Sequence, residues 1–181
     1  MDEEDIIKKI KEYKNNGNIK YQNKEYLGCK EDYQQALYLL LQLKKESIKQ
    51  INDVLNNNNN LKELEIVLYS NFAAVHLKLF EYHAVVEYCT KVLEEIEDPN
   101  HMKCLYRRAI AYKELGQIDK ARKDINRGLD IDQNEKEFNK LKDEIVIQFK
   151  LKKDEYFTST FSSLCTLYDD SDIDDDNEIT K

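Results

Sequence analysis

Lys103 and Arg107 stand four residues apart in "KCLYRR", residues 103–108 of a 181-residue chain whose formal net charge is -8. On a helix they project from one face as a like-charged pair, which costs about 0.2–0.5 kcal/mol. Two cations one turn apart offer an anion two charge-assisted donors. Lys14 and Asn18 have the same spacing, and Asn71 adds an amide. Lys14, Asn18, Asn71, Lys103 and Arg107 together supply several donors and no opposing carboxylate. A ligand carrying two or more carboxylates would satisfy such a set.

Other chemistries find little footing. His76, His83 and His101 are not arranged with a nucleophile, and there is neither a glycine-rich phosphate loop nor a clustered metal set. No enzymatic activity, no cofactor and no metal is expected. Basic residues are interleaved with acidic ones and the isoelectric point is about 5.1, which argues against nucleic acid as a partner.

The elements that must carry these residues are helical. Gly occurs 4 times and Pro once, too little punctuation for sheets and tight turns. The fold class expected is all-α. Cys29, Cys89, Cys104 and Cys165 form no CxxC pair and read as buried thiols of a reducing compartment. The start, "MDEEDIIKKI", lacks the features of a secretory signal, and no apolar run reaches the length of a membrane span. A cytoplasmic protein without membrane partners is expected.

An internal repeat organises the middle of the chain. "LYSNFAAVHLKLFEYHAVVEYCTKVLEEIEDPN" aligns with "CLYRRAIAYKELGQIDKARKDINRGLDIDQN" when Asn71 is laid on Arg107, a shift of 36. Ala73 then meets Ala109, Phe80 meets Gly116 and Val85 meets Ala121. Each unit reads as a helix, a short turn near Phe80 or Gly116, and a second helix.

"AYKELGQIDKA", residues 111–121, resembles the A-Y-x-x-L-G-x-x-x-x-A pattern of the tetratricopeptide repeat, a helical hairpin of 34 residues. "YKNNGN" and "DYQQALYLL" resemble the opening and second helix of a longer first unit. The resemblance implies three tetratricopeptide hairpins in a right-handed superhelical array, at about 10–55, 66–99 and 102–135. The two-residue excess of the middle unit falls before Pro99. Helical spacing at Phe138, Leu141, Ile145, Phe149 and Tyr156 adds a capping helix over 135–157. Its six lysines and six acids balance, which suits a cap better than a calmodulin target. Residues 1–157 thus read as one repeat domain.

Two biased segments lie outside this pattern. Residues 169–181 carry a net -6, so 158–181 reads as an acidic disordered tail, with Thr166 and Ser171 each three residues before an Asp. "LNNNNN", residues 55–60, reads as a lengthened connection between helices.

The site pattern is similar to something more specific. K-x-x-G-N at Lys14 to Asn18, the Asn of "LYSN" at Asn71, and K-x-x-x-R at Lys103 to Arg107 match the carboxylate clamp of chaperone-binding tetratricopeptide domains. The resemblance implies a groove lined by the first helices of the hairpins, binding the Glu-Glu-Val-Asp carboxyl terminus of heat shock protein 90 or heat shock protein 70. By position, Lys14, Asn18, Asn71 and Lys103 would hold the terminal aspartate, and Arg107 a further carboxylate or carbonyl. Apolar groove positions near Phe72, His76 and Leu105 would add a pocket for the peptide's valine, with His76 more often a packing residue than a ligand at such a position. The function implied is a co-chaperone or adaptor, with a client protein as a possible further partner. A scaffold that holds an internal segment of a dedicated partner is the alternative.

Overall fold

The computed structural model describes residues 2–49, 58–96, 98–147 and 150. Six α-helices follow in order: α1 (Glu3–Gln22), α2 (Tyr26–Lys49), α3 (Asn58–Lys78), α4 (Tyr82–Thr90), α5 (Met102–Glu114) and α6 (Ile118–Ile131), with a π-helical turn at Lys91–Glu95 after α4. A further helical stretch covers 136–147. The described chain is all-α, as its composition predicts.

The helices pair as antiparallel hairpins, α1 with α2, α3 with α4, and α5 with α6. Each first helix ends in the same way. Lys24, Phe80 and Gly116 adopt left-handed backbone conformations, with φ of 64°, 60° and 72°. In all three turns that residue's N–H donates to the carbonyl three residues back (Lys24 to Tyr21, Phe80 to Leu77, Gly116 to Lys113). The next N–H reaches back five, at 2.9 Å from Glu25 to Lys20, 3.0 Å from Glu81 to His76 and 2.8 Å from Gln117 to Tyr112. These paired bonds form the Schellman arrangement that satisfies the last carbonyls of a helix. Only Gly116 has the residue type that enters the left-handed region without steric cost.

At its start α1 is capped by Asp2, whose carboxylate accepts from the Asp5 N–H at 2.8 Å. Glu3, Glu4 and Asp5 in its first turn suit the positive end of the helix dipole. Asn58–Asn60 differ from the loop expectation and belong to α3. The first-turn N–H groups of a helix need no partner within it, so asparagine is tolerated there. Leu55–Asn57 lie outside the described residues, as do Cys165, the tail 158–181 and most of 148–157.

The π-helical turn carries an Ile96 to Lys91 backbone bond at 2.9 Å. A turn closed five residues back takes in one more residue than an α-turn, so this segment absorbs part of the excess before Pro99.

Within residues 1–142 the core is made by the facing sides of the hairpins. Ile10, Tyr33, Leu40, Leu68, Val75, Val85, Val92, Leu105, Ile125 and Phe138 are all buried. Burial of one such side chain stabilises by about 1.5–3 kcal/mol. Phe72 sits between Tyr33, 6.4 Å away edge to face, and Tyr88 at 4.7 Å, joining the first hairpin to the second.

Ion pairs add specificity between hairpins. Lys44 of α2 meets the buried Glu65 of α3 at 2.6 Å, and Lys30 of α2 grips Glu81 at 2.7 Å. Deeper in the third hairpin, Arg108 makes two bonds of 2.8 Å to the Asp124 carboxylate on α6. Its remaining nitrogen donates to Glu94 at 2.6 Å and to Thr90 at 3.0 Å, so one guanidinium ties α4 and the turn after it to α5 and α6.

Candidate functional site

The five candidate residues fall on the first helices of the three hairpins: Lys14 and Asn18 on α1, Asn71 on α3, Lys103 and Arg107 on α5. Asn18 and Asn71, 53 positions apart, touch through their side chains. The Asn71 amide donates to Asn18 Oδ1 at 3.2 Å. The same oxygen accepts from the Tyr33 hydroxyl at 2.5 Å.

Gly17 makes this junction possible. A Cβ at Gly17 would lie 2.8 Å from Tyr33 Cε1, too close for any real contact. Without it α1 settles onto the Tyr33 ring, and the hydroxyl arrives beside Asn18. Burial pushes the Tyr33 hydroxyl's pKa up, so it remains a proton donor. An oxygen that receives two donors is the amide oxygen, which leaves the Asn18 NH2 as the outward group.

Arg107 is half-buried and anchored on one side. Its Nη1 donates to the Ser70 carbonyl at 2.7 Å and to the Ser70 hydroxyl at 2.8 Å. Its Nε and Nη2 have no hydrogen-bond acceptor among the described residues. The Cys104 thiol is buried, and Cys89 chiefly, then His101 and Ser70, hold its pKa below the ordinary thiol value against the opposing effect of burial. Cys29, Cys89 and Cys104 are free and buried.

Asn18, Asn71 and Arg107 line one recess of about 230 Å3, together with Tyr21, Gln22, Tyr33 and Ala74. Among the described residues no carboxylate lines it, and its polar lining is one guanidinium, three amide side chains and two phenols. A second recess of about 500 Å3 adjoins it, sharing Tyr21, Ala74 and Arg107. Lys103 borders this larger recess. Lys14, half-buried on α1, lines neither. Lys14 and Lys103 make no ion pair among the described residues.

The apolar pocket expected near Phe72, His76 and Leu105 is lined by other residues. All three are themselves in the core and line neither recess. His76 packs 4.5 Å from the Phe72 ring and bonds Glu81 through Nδ1. Apolar lining comes instead from Leu77, Met102, Tyr106 and Phe138. Tyr33 and Ser70 were missed because their roles depend on neighbours 15 and 37 residues away.

Among the described residues no group of three or more His, Cys, Asp or Glu side chains is placed to hold a metal ion. None of the described helices is long and apolar enough to cross a membrane. A set of fixed amide, phenol and guanidinium donors is suited to binding an anion, chiefly by charge-assisted hydrogen bonds.

No family model matches the sequence. Over 86 residues, 48% of this chain, it is 35% identical to the FK506-binding protein-like protein of Rattus norvegicus, of which the match spans 24%. The chain thus covers about a quarter of the length of that relative. Among solved structures it is similar to the C-terminal TPR-containing domain of a Plasmodium falciparum FK506-binding protein (TM-score 0.73, 19% identity, 85% of this chain and 97% of that one). It is also similar to the Hsp90 co-chaperone Cns1 of Saccharomyces cerevisiae (TM-score 0.72, 22% identity, 88% and 45%). A third likeness is to the myosin chaperone UNC-45 of C. elegans, solved in complex with a Hsp90 peptide (TM-score 0.62, 26% identity, 78% and 14%). The fold is that of the tetratricopeptide repeat.

Proposed function

We propose that this chain is a co-chaperone or adaptor whose groove takes the carboxyl-terminal peptide of heat shock protein 90 or heat shock protein 70. The observation that carries the reading is the carboxylate-free recess in which Asn18 and Asn71 of two hairpins meet Arg107 of the third. A terminal aspartate brings two carboxylates, and fixed donors of this kind favour them over any neutral end. On this reading Lys103, exposed beside Arg107, would take the side-chain carboxylate, and Lys14 would act on the approach from α1. The name of the yeast neighbour and the Hsp90 peptide bound to UNC-45 support a chaperone as the partner.

Titration calorimetry with Met-Glu-Glu-Val-Asp, as the free acid and as the amide, tests this. The free acid should bind with about micromolar affinity, roughly -8 kcal/mol. Binding should weaken with salt, because the groove is open to screening. Amidation or Lys103→Ala should reduce affinity at least tenfold. Equal binding of acid and amide would point instead to a scaffold for an internal segment, and no binding of either would end the co-chaperone reading.

A further inference from the structure

The larger recess has a charge pattern that a clamp for carboxylates alone does not need. Lys78, Lys103 and Arg107 of α3 and α5 line it together with Glu135 and Glu137, which follow α6. No ion pair links these carboxylates to those cations among the described residues, so the two signs face the same space without neutralising each other. Between them lie apolar surfaces, with Phe138 buried and Tyr106 packed against it at 5.4 Å. At about 500 Å3 the recess is more than twice the size of its neighbour, with which it shares Tyr21, Ala74 and Arg107.

We propose that the larger recess is a specificity subsite for the segment just upstream of the partner's terminal carboxylates, and that it selects a basic residue there over an acidic one. The proposal rests on the carboxylate-clamp reading and deepens it. A peptide whose end lies among Asn18, Asn71 and Arg107 would reach the larger recess along the wall of Tyr21, Ala74 and Arg107 that the two share. Its first residues out meet Lys103 and Arg107 and are favoured when acidic. Those beyond meet the apolar floor and then Glu135 and Glu137, where an acidic side chain is repelled and Lys or Arg finds a counter-charge. An extended chain advances about 3.3 Å per residue, so this change of sign falls within a few residues of the end. The partner so defined has an acidic terminus preceded closely by an apolar and a basic residue. A uniformly acidic tail would be rejected by the far wall.

The experiment is a peptide panel read by fluorescence anisotropy at low salt. A single Lys or Glu is placed in turn at each of the three positions before Glu-Glu-Val-Asp. In the unmodified protein at least one position should prefer Lys over Glu by about fivefold, the scale of one or two partly exposed charge pairs. In the double variant Glu135→Lys, Glu137→Lys that preference should vanish or reverse, while amidation of the terminus still abolishes binding. Both glutamates are at or near the surface, so the fold is expected to survive, with thermal melting as the check. No position preferring Lys, or a preference that outlasts the charge reversal, would overturn the subsite while leaving the clamp standing. Free-acid and amidated peptides that bind alike would overturn both.

Discussion

Tyr33→Phe removes one oxygen from the buried junction behind the recess and isolates what that oxygen does. The ring stays, with its packing on Gly17 and its edge-to-face contact with Phe72 at 6.4 Å. What goes is the 2.5 Å bond to Asn18 Oδ1. A neutral hydrogen bond contributes a net of about 0.5–1.5 kcal/mol. Asn18 Oδ1 keeps the Asn71 amide at 3.2 Å, so it is not orphaned and the loss should lie near the middle of that range. One kcal/mol in a domain of this size lowers Tm by about 2–4 °C. The effect on binding has a different origin. With two donors on Oδ1 the Asn18 NH2 faces outward; with one, a turned amide that offers its oxygen to the incoming carboxylate becomes accessible. A bias of about 1 kcal/mol lost from that choice weakens the free-acid peptide by at most about fivefold, the limit reached when the turned amide becomes the commoner form. The assay pairs calorimetry on Met-Glu-Glu-Val-Asp with NMR of the Asn18 side-chain amide in the unliganded protein, and repeats the titration on Asn18→Ala with and without Tyr33→Phe. In the Asn18→Ala background the hydroxyl should no longer matter for binding. If Tyr33→Phe melts lower yet binds as before, or costs the same affinity without Asn18, the tyrosine only packs and the orienting argument fails.

Three further outcomes follow from groups away from the recess. Arg108→Ala leaves Asp124, 5% exposed, without its two 2.8 Å donors, and should destabilise by about 3–5 kcal/mol in chemical denaturation. A loss under 1 kcal/mol would show that water replaces the guanidinium. Gly116→Ala should cost about 1–2 kcal/mol by the same measurement, through backbone strain alone, since φ is 72° and a Cβ there meets nothing within 4 Å. Burial holds His76 below its ordinary pKa despite the opposing hydrogen bond to the Glu81 carboxylate, and its buried Nε2 has no partner among the described residues. The neutral ring is therefore the folded form, with Lys30 and Glu87 as the other charges acting on it. Unfolded histidine takes its proton near pH 6.5, the folded one only lower, so stability should fall as pH drops below about 6.5. Glu81, its pKa depressed chiefly by Lys30, adds a loss of the same sign further into acid. Thermal melts of His76→Phe should show a shallower decline between pH 6.5 and 5; an unchanged slope would remove His76 as the cause.

Much of this architecture was legible before any coordinates. The 36-residue self-similarity placed Phe80 opposite Gly116, and these turn out to be the equivalent left-handed residues of two hairpins. Helical spacing put Lys14 with Asn18 and Lys103 with Arg107 on single faces, because a period of 3.6 residues is a property of the backbone alone. The amino-acid sequence by itself determined that the elements are helices, where the second and third hairpins turn, and which side chains share a face of one helix. Distances between helices depend on the volumes of the side chains that separate them, which no local period encodes. The tertiary structure therefore decided that Gly17 lets Tyr33 reach Asn18, that Asn18 meets Asn71 while Lys14 lines neither recess, and that Ser70 anchors Arg107. It also turned Phe72, His76 and Leu105 into core and set Glu135 and Glu137 in the recess of Lys103, because close packing leaves each side chain only the space its neighbours do not fill.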